Sequence, residues 1–172
     1  MDFSSVPDRA GERPQTNPAM PHTQLTQLAP VALQETLFER TARLPGVLVG
    51  RSHVSVPGAR AFHLDEEHAC GPREAFMVGT EFAHLHPPYD GSLHLVLSEA
   101  EAREVIARGW GEFHPLVEQG IMPPTNLMVY GPRDEAELET VWQIVQASHA
   151  TATGETLDPL RGDPIEEQTS AH

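Results

Sequence analysis

Gly79 to Leu97 reads GTEFAHLHPPYDGSLHLVL, and the order of leucine and histidine in it decides how the surrounding sheet is faced. Histidines stand at positions 84, 86 and 94, and leucines at 85, 93, 95 and 97. Side chains alternate along a strand, so residues two apart share a face. The segment Pro87-Pro88-Tyr89-Asp90-Gly91 separates the two apolar runs. Its prolines lack the N–H that a ladder needs, and Asp-Gly favours a turn. A hairpin closed by this loop sets His86 against Ser92 and His84 against His94. Leu85, Leu93, Leu95 and Leu97 then face a core. His84, His86 and His94, extended by Phe82 and Val96, gather on the opposite face. Glu81 has the parity of the leucines, and only a bulge near Gly79 or at the start of the strand releases it.

Outward from the hairpin, the chain reads as helix, several strands, helix, strand, helix. PVALQETLFERTARL (Pro30 to Leu44) starts on a proline suited to a first helical turn and is stopped by Pro45-Gly46; Leu33, Leu37 and Phe38 form its apolar stripe. GVLVG, ARAFHL, AFMVG, EFAHLH and SLHLVL are short apolar runs broken by turn residues, which is strand patterning. SEAEAREVIARG carries Ser98 with Glu101 three residues on, a capping box, and ends at Gly109. TNLMVY (Thr125 to Tyr130) is a further strand. In DEAELETVWQIVQASH, Leu138, Val141, Trp142 and Val145 repeat at the spacing of a buried helical stripe. Strands in succession with short turns imply antiparallel pairing. The expected fold is therefore a single α+β domain, an antiparallel sheet with helices packed on one face. Residues 1–28, rich in Pro, Gln, Thr and Ser, lack an apolar period and are expected to be disordered; residues 151–172 are expected to form a disordered acidic tail. The folded domain spans 29–150.

Net charge is −14, from 25 acidic and 11 basic residues among 172. That argues against nucleic acid, because phosphate binding needs a positive surface and none is visible in the sequence, and it disfavours an anionic membrane. One cysteine, Cys70, allows no intrachain disulfide. Together with the lack of an apolar signal core or spanning run, this leads to the expectation of a soluble, cytoplasmic protein. No phosphate loop, dinucleotide fingerprint or nucleophile elbow is present.

Ten histidines are a surplus for this length. Three readings of the hairpin set compete. It is a solvated polar face, or a metal site in which a His-x-His pair plus a cross-strand His supply three ligands, or an acid–base site. Cupins also carry His-x-His on a barrel, but the helix at 98–109 interrupts the strands and no second such block follows. His114, in GWGEFHPL, stands beside Trp110 and Phe113, so an imidazole and an indole are candidates to line one pocket. Tyr130 and Arg133 occupy a strand-to-helix turn. Arg133 is suited either to an anionic substrate group or to an i to i+4 pair with Glu137. His63 is expected on the same face as the hairpin set. His22, His53, His68, His149 and His172 carry no motif.

EFAHLH, SLHLVL, RGWGEFHPL, PPT and YGPRDEAE occur in an order and spacing that resemble the fungal luciferases, oxygen-dependent enzymes acting on 3-hydroxyhispidin, and their bacterial relatives, from about Gly79 to Ala150. The resemblance implies an oxygenase, of monooxygenase type, that needs no flavin, haem, nucleotide or other cofactor and acts on an enolic or phenolic small molecule with dioxygen. For such a reaction His84, His86, His94 and His114 are the candidate acid–base residues, with Glu81, Trp110, Tyr130 and Arg133 as candidates about the substrate. The alternatives are a divalent-metal enzyme with His84, His86 and His94 as ligands, and a non-catalytic small-molecule binding protein.

Overall fold

A computed structural model describes residues 3–155. Helix α1 is Val31–Ala42 and strands β1 and β2 are Val47–Arg51 and Arg60–Leu64. Strands β3 and β4, Glu81–Leu85 and Leu93–Val96, form the hairpin. Helix α2 (Glu99–Ala107), β5 (Gly111–Phe113), the single-turn helix α3 (Pro115–Glu118), β6 (Asn126–Val129) and α4 (Glu135–Thr153) complete the order. The six strands form one sheet, in the order β1-β2-β3-β4-β6-β5, and every neighbouring pair is antiparallel. The expected α+β fold is thus borne out.

The leucine face is the core. Leu85, Leu93, Leu95, Leu97, Leu127 and Val129 pack in one cluster with Leu33 and Leu37 of α1, Ala102 and Val105 of α2, and Leu138, Val141, Ile144 and Val145 of α4. Ser98 caps α2 by the capping box read in the sequence. Asp134 accepts from Glu137 N–H at the start of α4, and Gly154, at φ 73°, ends it.

The hairpin register is the expected one: His84 pairs with His94, and His86 N–H donates to Ser92 O at 2.9 Å. The turn needs glycine at 91 on two counts. Its φ is 72°, and a Cβ there would stand 2.4 Å from the Gln34 side-chain amide, which donates to the Ala29 and Pro88 carbonyls.

Four local expectations give way. AFMVG is not a strand; it holds the end of a 3-10 turn (Arg73–Ala75) and a single bridge, Val78 to Glu81, because Pro72 and the turn at Gly79 leave no room for a ladder. GWGEFHPL, read only for its aromatic and imidazole, contains edge strand β5. Phe82 leaves the imidazole face. Phe62 pairs with Ala83 but His63 pairs with Glu81, so Phe82 is the extra residue of a bulge. It turns into the core against Phe62 and His149, and Glu81 rotates to the imidazole side.

The fourth concerns the N-terminus. Residues 3–28 pack against the domain where composition predicts disorder. Phe3 and Val6 are buried in the core cluster. The Trp110 indole N–H donates to Pro7 O at 2.7 Å, and Arg9 N–H to Arg108 O at 2.8 Å. Residues 15–25 then double back through bonds between Asn17 and Thr23 and between Leu25 and Gln15, and Gln24 Oε1 accepts from Gly131 N–H. Two buried apolar anchors and a set of long-range hydrogen bonds do what a periodic pattern does elsewhere. At the other end, the first residues of the expected tail, Thr151 to Thr153, belong to α4; residues 156–172 lie outside the described residues.

Candidate active site

The imidazole face is where sheet alternation, the bulge and the N-terminal segment converge. His84 and His94 face each other across β3 and β4, with ring centroids 5.2 Å apart. His86, one step beyond β3, stacks on His84 at 5.4 Å and lies 4.7 Å from His94. His114 caps α3, its Nδ1 accepting from Leu116 N–H, and its ring stands 5.2 Å from His94. The fifth ring comes from His22, in the N-terminal segment, 5.1 Å from His94. All five are at most 8% exposed.

Three carboxylates stand behind the rings. Glu81, turned inward by the bulge, accepts from His84 Nδ1–H at 2.8 Å and from Ser52 Oγ–H at 2.8 Å. Asp90, in the hairpin loop, accepts from His86 Nδ1–H at 2.5 Å and from the Ser92 hydroxyl and N–H. Glu112, on β5, receives His22 Nε2 at 2.7 Å, the Thr16 hydroxyl at 2.7 Å and the Tyr130 hydroxyl at 2.8 Å. None of the three pairs with an arginine among the described residues. Burial raises each carboxyl's pKa, but the imidazole and hydroxyl hydrogen bonds outweigh it and hold all three below their ordinary values.

His94, His84 and His114 lie below the ordinary imidazole value. Burial, then the neighbouring rings, push His94 well below its ordinary value. Burial also lowers His84, against the pull of Glu81. His114 falls to about 4, again chiefly by burial. Burial and the Glu112 carboxylate push the Tyr130 hydroxyl up, so it stays protonated and donates.

Proton counting along the row Glu81–His84–His94–His22–Glu112 is restrictive. His84 Nε2 meets His94 Nδ1 at 3.2 Å, and His94 Nε2 meets His22 Nδ1 at 3.0 Å. With both end carboxylates accepting, the row's four hydrogen bonds need four N–H protons, whereas three neutral imidazoles carry three. Among the protein groups alone, either one extra proton is shared along the row or one bond stays unmade.

Two adjoining cavities, about 440 and 190 Å³, open over the rings. Both are lined by Met20, Val54, His94 and His114; His86 and His22 line the larger, and His84 with Met77, Leu116 and Met122 the smaller. Ser55 Oγ in the larger and Asn126 Oδ1 in the smaller are buried polar atoms with no protein partner. Apolar walls with a few converging polar atoms are the usual make-up of a small-molecule pocket.

The four histidines singled out in the sequence come together here. The other four residues expected about the substrate line neither cavity. Glu81 backs His84. Trp110 is core, held to Pro7 by its N–H. Tyr130 donates to Glu112. Arg133 pairs with Glu137, the i to i+4 role, and reaches Ala10 O to clasp the N-terminal segment. His63 shares the sheet face but is only near Arg51 O, outside the cluster. His149 is buried and meets Pro45 O at 2.8 Å. His22, Glu112 and Asp90 were not read from the sequence as site residues. For Asp90 a signal existed, since a carboxylate four residues after His86 in a tight turn lies within reach of its ring.

Residues 79–148 match the family model described as Luciferase domain. The chain resembles the fungal luciferases. Over 70 residues it is 46% identical to the luciferase of Armillaria ostoyae, and 44% identical to those of Armillaria mellea and Neonothopanus nambi. The matched stretch is 40% of this chain and 26% of each of these relatives, so the chain spans about a quarter of the length of the luciferases it matches. No solved structure matches. The luciferase-domain segment carries His84, His86, His94 and His114 and all three carboxylates. His22, Met20, Val54 and Ser55 are brought to it by residues outside the match. No described helix is long and apolar enough to cross a membrane.

The depressed His114 has a consequence for stability. In the unfolded chain the ring takes a proton near 6.5, but in the folded protein only near 4. The unfolded state therefore binds more protons between those values. The stability this ring contributes is full above about pH 6.5 and is lost as pH falls toward 4, on the order of 3 kcal/mol. Urea unfolding at pH 7.5 and 4.5, with chelator present, is expected to give a much lower free energy at the acid pH, with His114→Phe flattening the difference. Equal slopes for both proteins would contradict the assignment.

Proposed function

We propose that the protein is an enzyme that oxidises a small enolic or phenolic molecule with dioxygen, in the manner of the luciferases its central segment resembles. The observation that carries this reading is the pairing of two features in one place: a mostly apolar cavity of small-molecule size, and a floor of buried imidazoles each able to hold or pass a proton.

The rings divide by what stands behind them. His84 and His86 are each backed at Nδ1 by a carboxylate, which stabilises the imidazolium formed when Nε2 takes a proton. They are the bases. His114 is different. Its Nδ1 lone pair is engaged by Leu116 N–H, so the neutral ring keeps its proton on Nε2. It is therefore a donor to an oxygen anion, not an acceptor. His94 and His22 link the bases to Glu112.

The chemistry follows from the charge. Loss of the enol or phenol proton to His86 or His84 leaves an electron-rich anion. One electron passes from it to dioxygen, and the two radicals join in a new carbon–oxygen bond. The resulting peroxide anion takes the proton back from the imidazolium, so that substrate and dioxygen sum to a hydroperoxide. Every electron comes from the substrate, and no flavin or haem is called upon. Methionine and valine walls keep the anion from bulk water.

Oxygen uptake by the purified chain with a panel of pyrones and catechols tests the reading. Uptake that saturates with one class, and is absent with its O-methylated analogue, is the expected result. Saturable binding of that class without oxygen consumption would leave a binding protein instead.

A further inference from the structure

We infer that His84, His86 and His94 form a three-nitrogen site for one divalent first-row metal ion, opening on the two cavities. Each ring has one nitrogen directed to an acceptor and one left over. His84 Nδ1 is spent on Glu81 and His86 Nδ1 on Asp90. His94 Nε2 is spent on His22 Nδ1, and His22 Nε2 on Glu112. If every N–H runs outward along these bonds, four neutral imidazoles satisfy all four contacts, and each path ends on a carboxylate. That is the second layer that orients metal-bound histidines. The nitrogens that remain are His84 Nε2, His86 Nε2 and His94 Nδ1, all bare lone pairs.

The three rings converge. One nitrogen from each of the three residues lies within 4.8 Å of the others, and His84 Nε2 stands 3.2 Å from His94 Nδ1. Two nitrogens bound at roughly 2.0–2.1 Å to a tetrahedral ion are about 3.3–3.4 Å apart. The 3.2 Å contact is thus close to a shared-ligand distance. A cation at this point also removes the shortfall of one proton along the row, because the contact between His84 and His94 no longer has to be a hydrogen bond.

Charge points the same way. Glu81 and Asp90 are fully buried and Glu112 is partly so, and none of them has an arginine partner among the described residues. Neutral imidazoles in front of three carboxylates leave a negative interior that a divalent ion offsets. Imidazole donors suit zinc, copper, iron, cobalt or nickel rather than magnesium or calcium.

A second triad, His22, His94 and His114, also brings three ring nitrogens within 4.8 Å of one another but is chemically unsuited. Neutral His114 has its Nδ1 lone pair engaged by Leu116 N–H and its proton on Nε2, so neither nitrogen is free to ligate.

The inference stands on geometry and does not depend on the reaction proposed above. The ion and the substrate's proton compete for the same lone pairs, so one protein molecule uses them for one or the other. The test uses the full chain, stripped with chelator and titrated with Zn²⁺ by calorimetry and with Co²⁺ by visible spectroscopy. One ion per chain, with the visible bands of four-coordinate Co²⁺, is expected. His84→Gln, His86→Gln and His94→Gln should each weaken binding by more than 100-fold, and Asp90→Asn by 10- to 100-fold. His114→Gln should stay within a few-fold of the parent. Thermal unfolding of each variant identifies any that fails to fold; Asp90→Asn, which removes no ligand, then carries the test. Zinc binding that is weak, of variable stoichiometry, or unchanged in the His84→Gln/His86→Gln double variant would overturn the inference, as would loss on His114→Gln alone. Oxygen uptake by the stripped protein, measured in parallel, reports on the reaction separately. Uptake without metal binding overturns only the metal site, and metal binding without uptake overturns only the reaction.

Discussion

Replacing His86 by glutamine is expected to lower kcat for oxygen consumption by roughly 10²- to 10⁴-fold, the usual range for loss of a positioned acid–base group. KM should change only a few-fold. The ring is one of the residues lining the larger cavity, its Nδ1 bonds to Asp90 at 2.5 Å, and the loop that supplies Asp90 is tied by the Ser92 hydroxyl and N–H. Glutamine keeps a polar group facing Asp90 but has no lone pair basic enough to accept the substrate's proton. Asp90→Asn tests the support behind the ring. It should reduce kcat by a smaller factor, because the imidazolium formed during the reaction loses its counter-charge. Steady-state oxygen-electrode kinetics on both variants measure this. A His86→Gln enzyme within tenfold of the parent kcat would remove His86 from the chemistry.

Deleting residues 1–28 is expected to cost stability on the order of 5 kcal/mol. Phe3 and Val6 each bury an apolar side chain, about 1.5–3 kcal/mol apiece. The buried Trp110 N–H loses its acceptor at Pro7, about 1–3 kcal/mol. The same deletion takes away His22, with its contacts to His94 and Glu112, and the Met20 wall shared by both cavities. Chemical unfolding of the truncated and full chains, with intrinsic tryptophan fluorescence as probe, measures the difference. A truncated chain as stable as the parent would return the segment to the disordered tail that its composition implies.

What could be read from the amino acids, and what could not, divides along physical lines. The hairpin was legible because its pattern is local. Leu85, Leu93 and Leu95 alternate with His84 and His94, and Asp90-Gly91 sets the loop, so register and facing follow from neighbours in sequence. Helices α2 and α4 were legible from caps and an apolar stripe. Phe82 was misplaced because a bulge is positioned by the partner strand, where Phe62 and His63 span three residues of β3; the parity of Glu81 announced a bulge but not that Phe82 would be its extra residue. His22 and the N-terminal segment were missed because their order comes from single long-range contacts. Phe3, Val6 and His22 are too widely spaced to form a period. Arg133 and Trp110 were drawn toward the substrate by their chemistry, yet the structure uses each to hold the N-terminal segment against the sheet.

The chemistry proposed for the site requires that the rings form one buried, converging set whose neutral forms have fixed tautomers. Long-range proton–nitrogen NMR of histidine-labelled protein, stripped of metal and followed from pH 8 to 4.5, tests it most directly. His94 and His114 should stay neutral across most of that range, and His114 should carry its proton on Nε2, as its bond from Leu116 requires. Both rings titrating near 6.5, or His114 protonated at Nδ1 while neutral, would contradict the geometry on which the site rests.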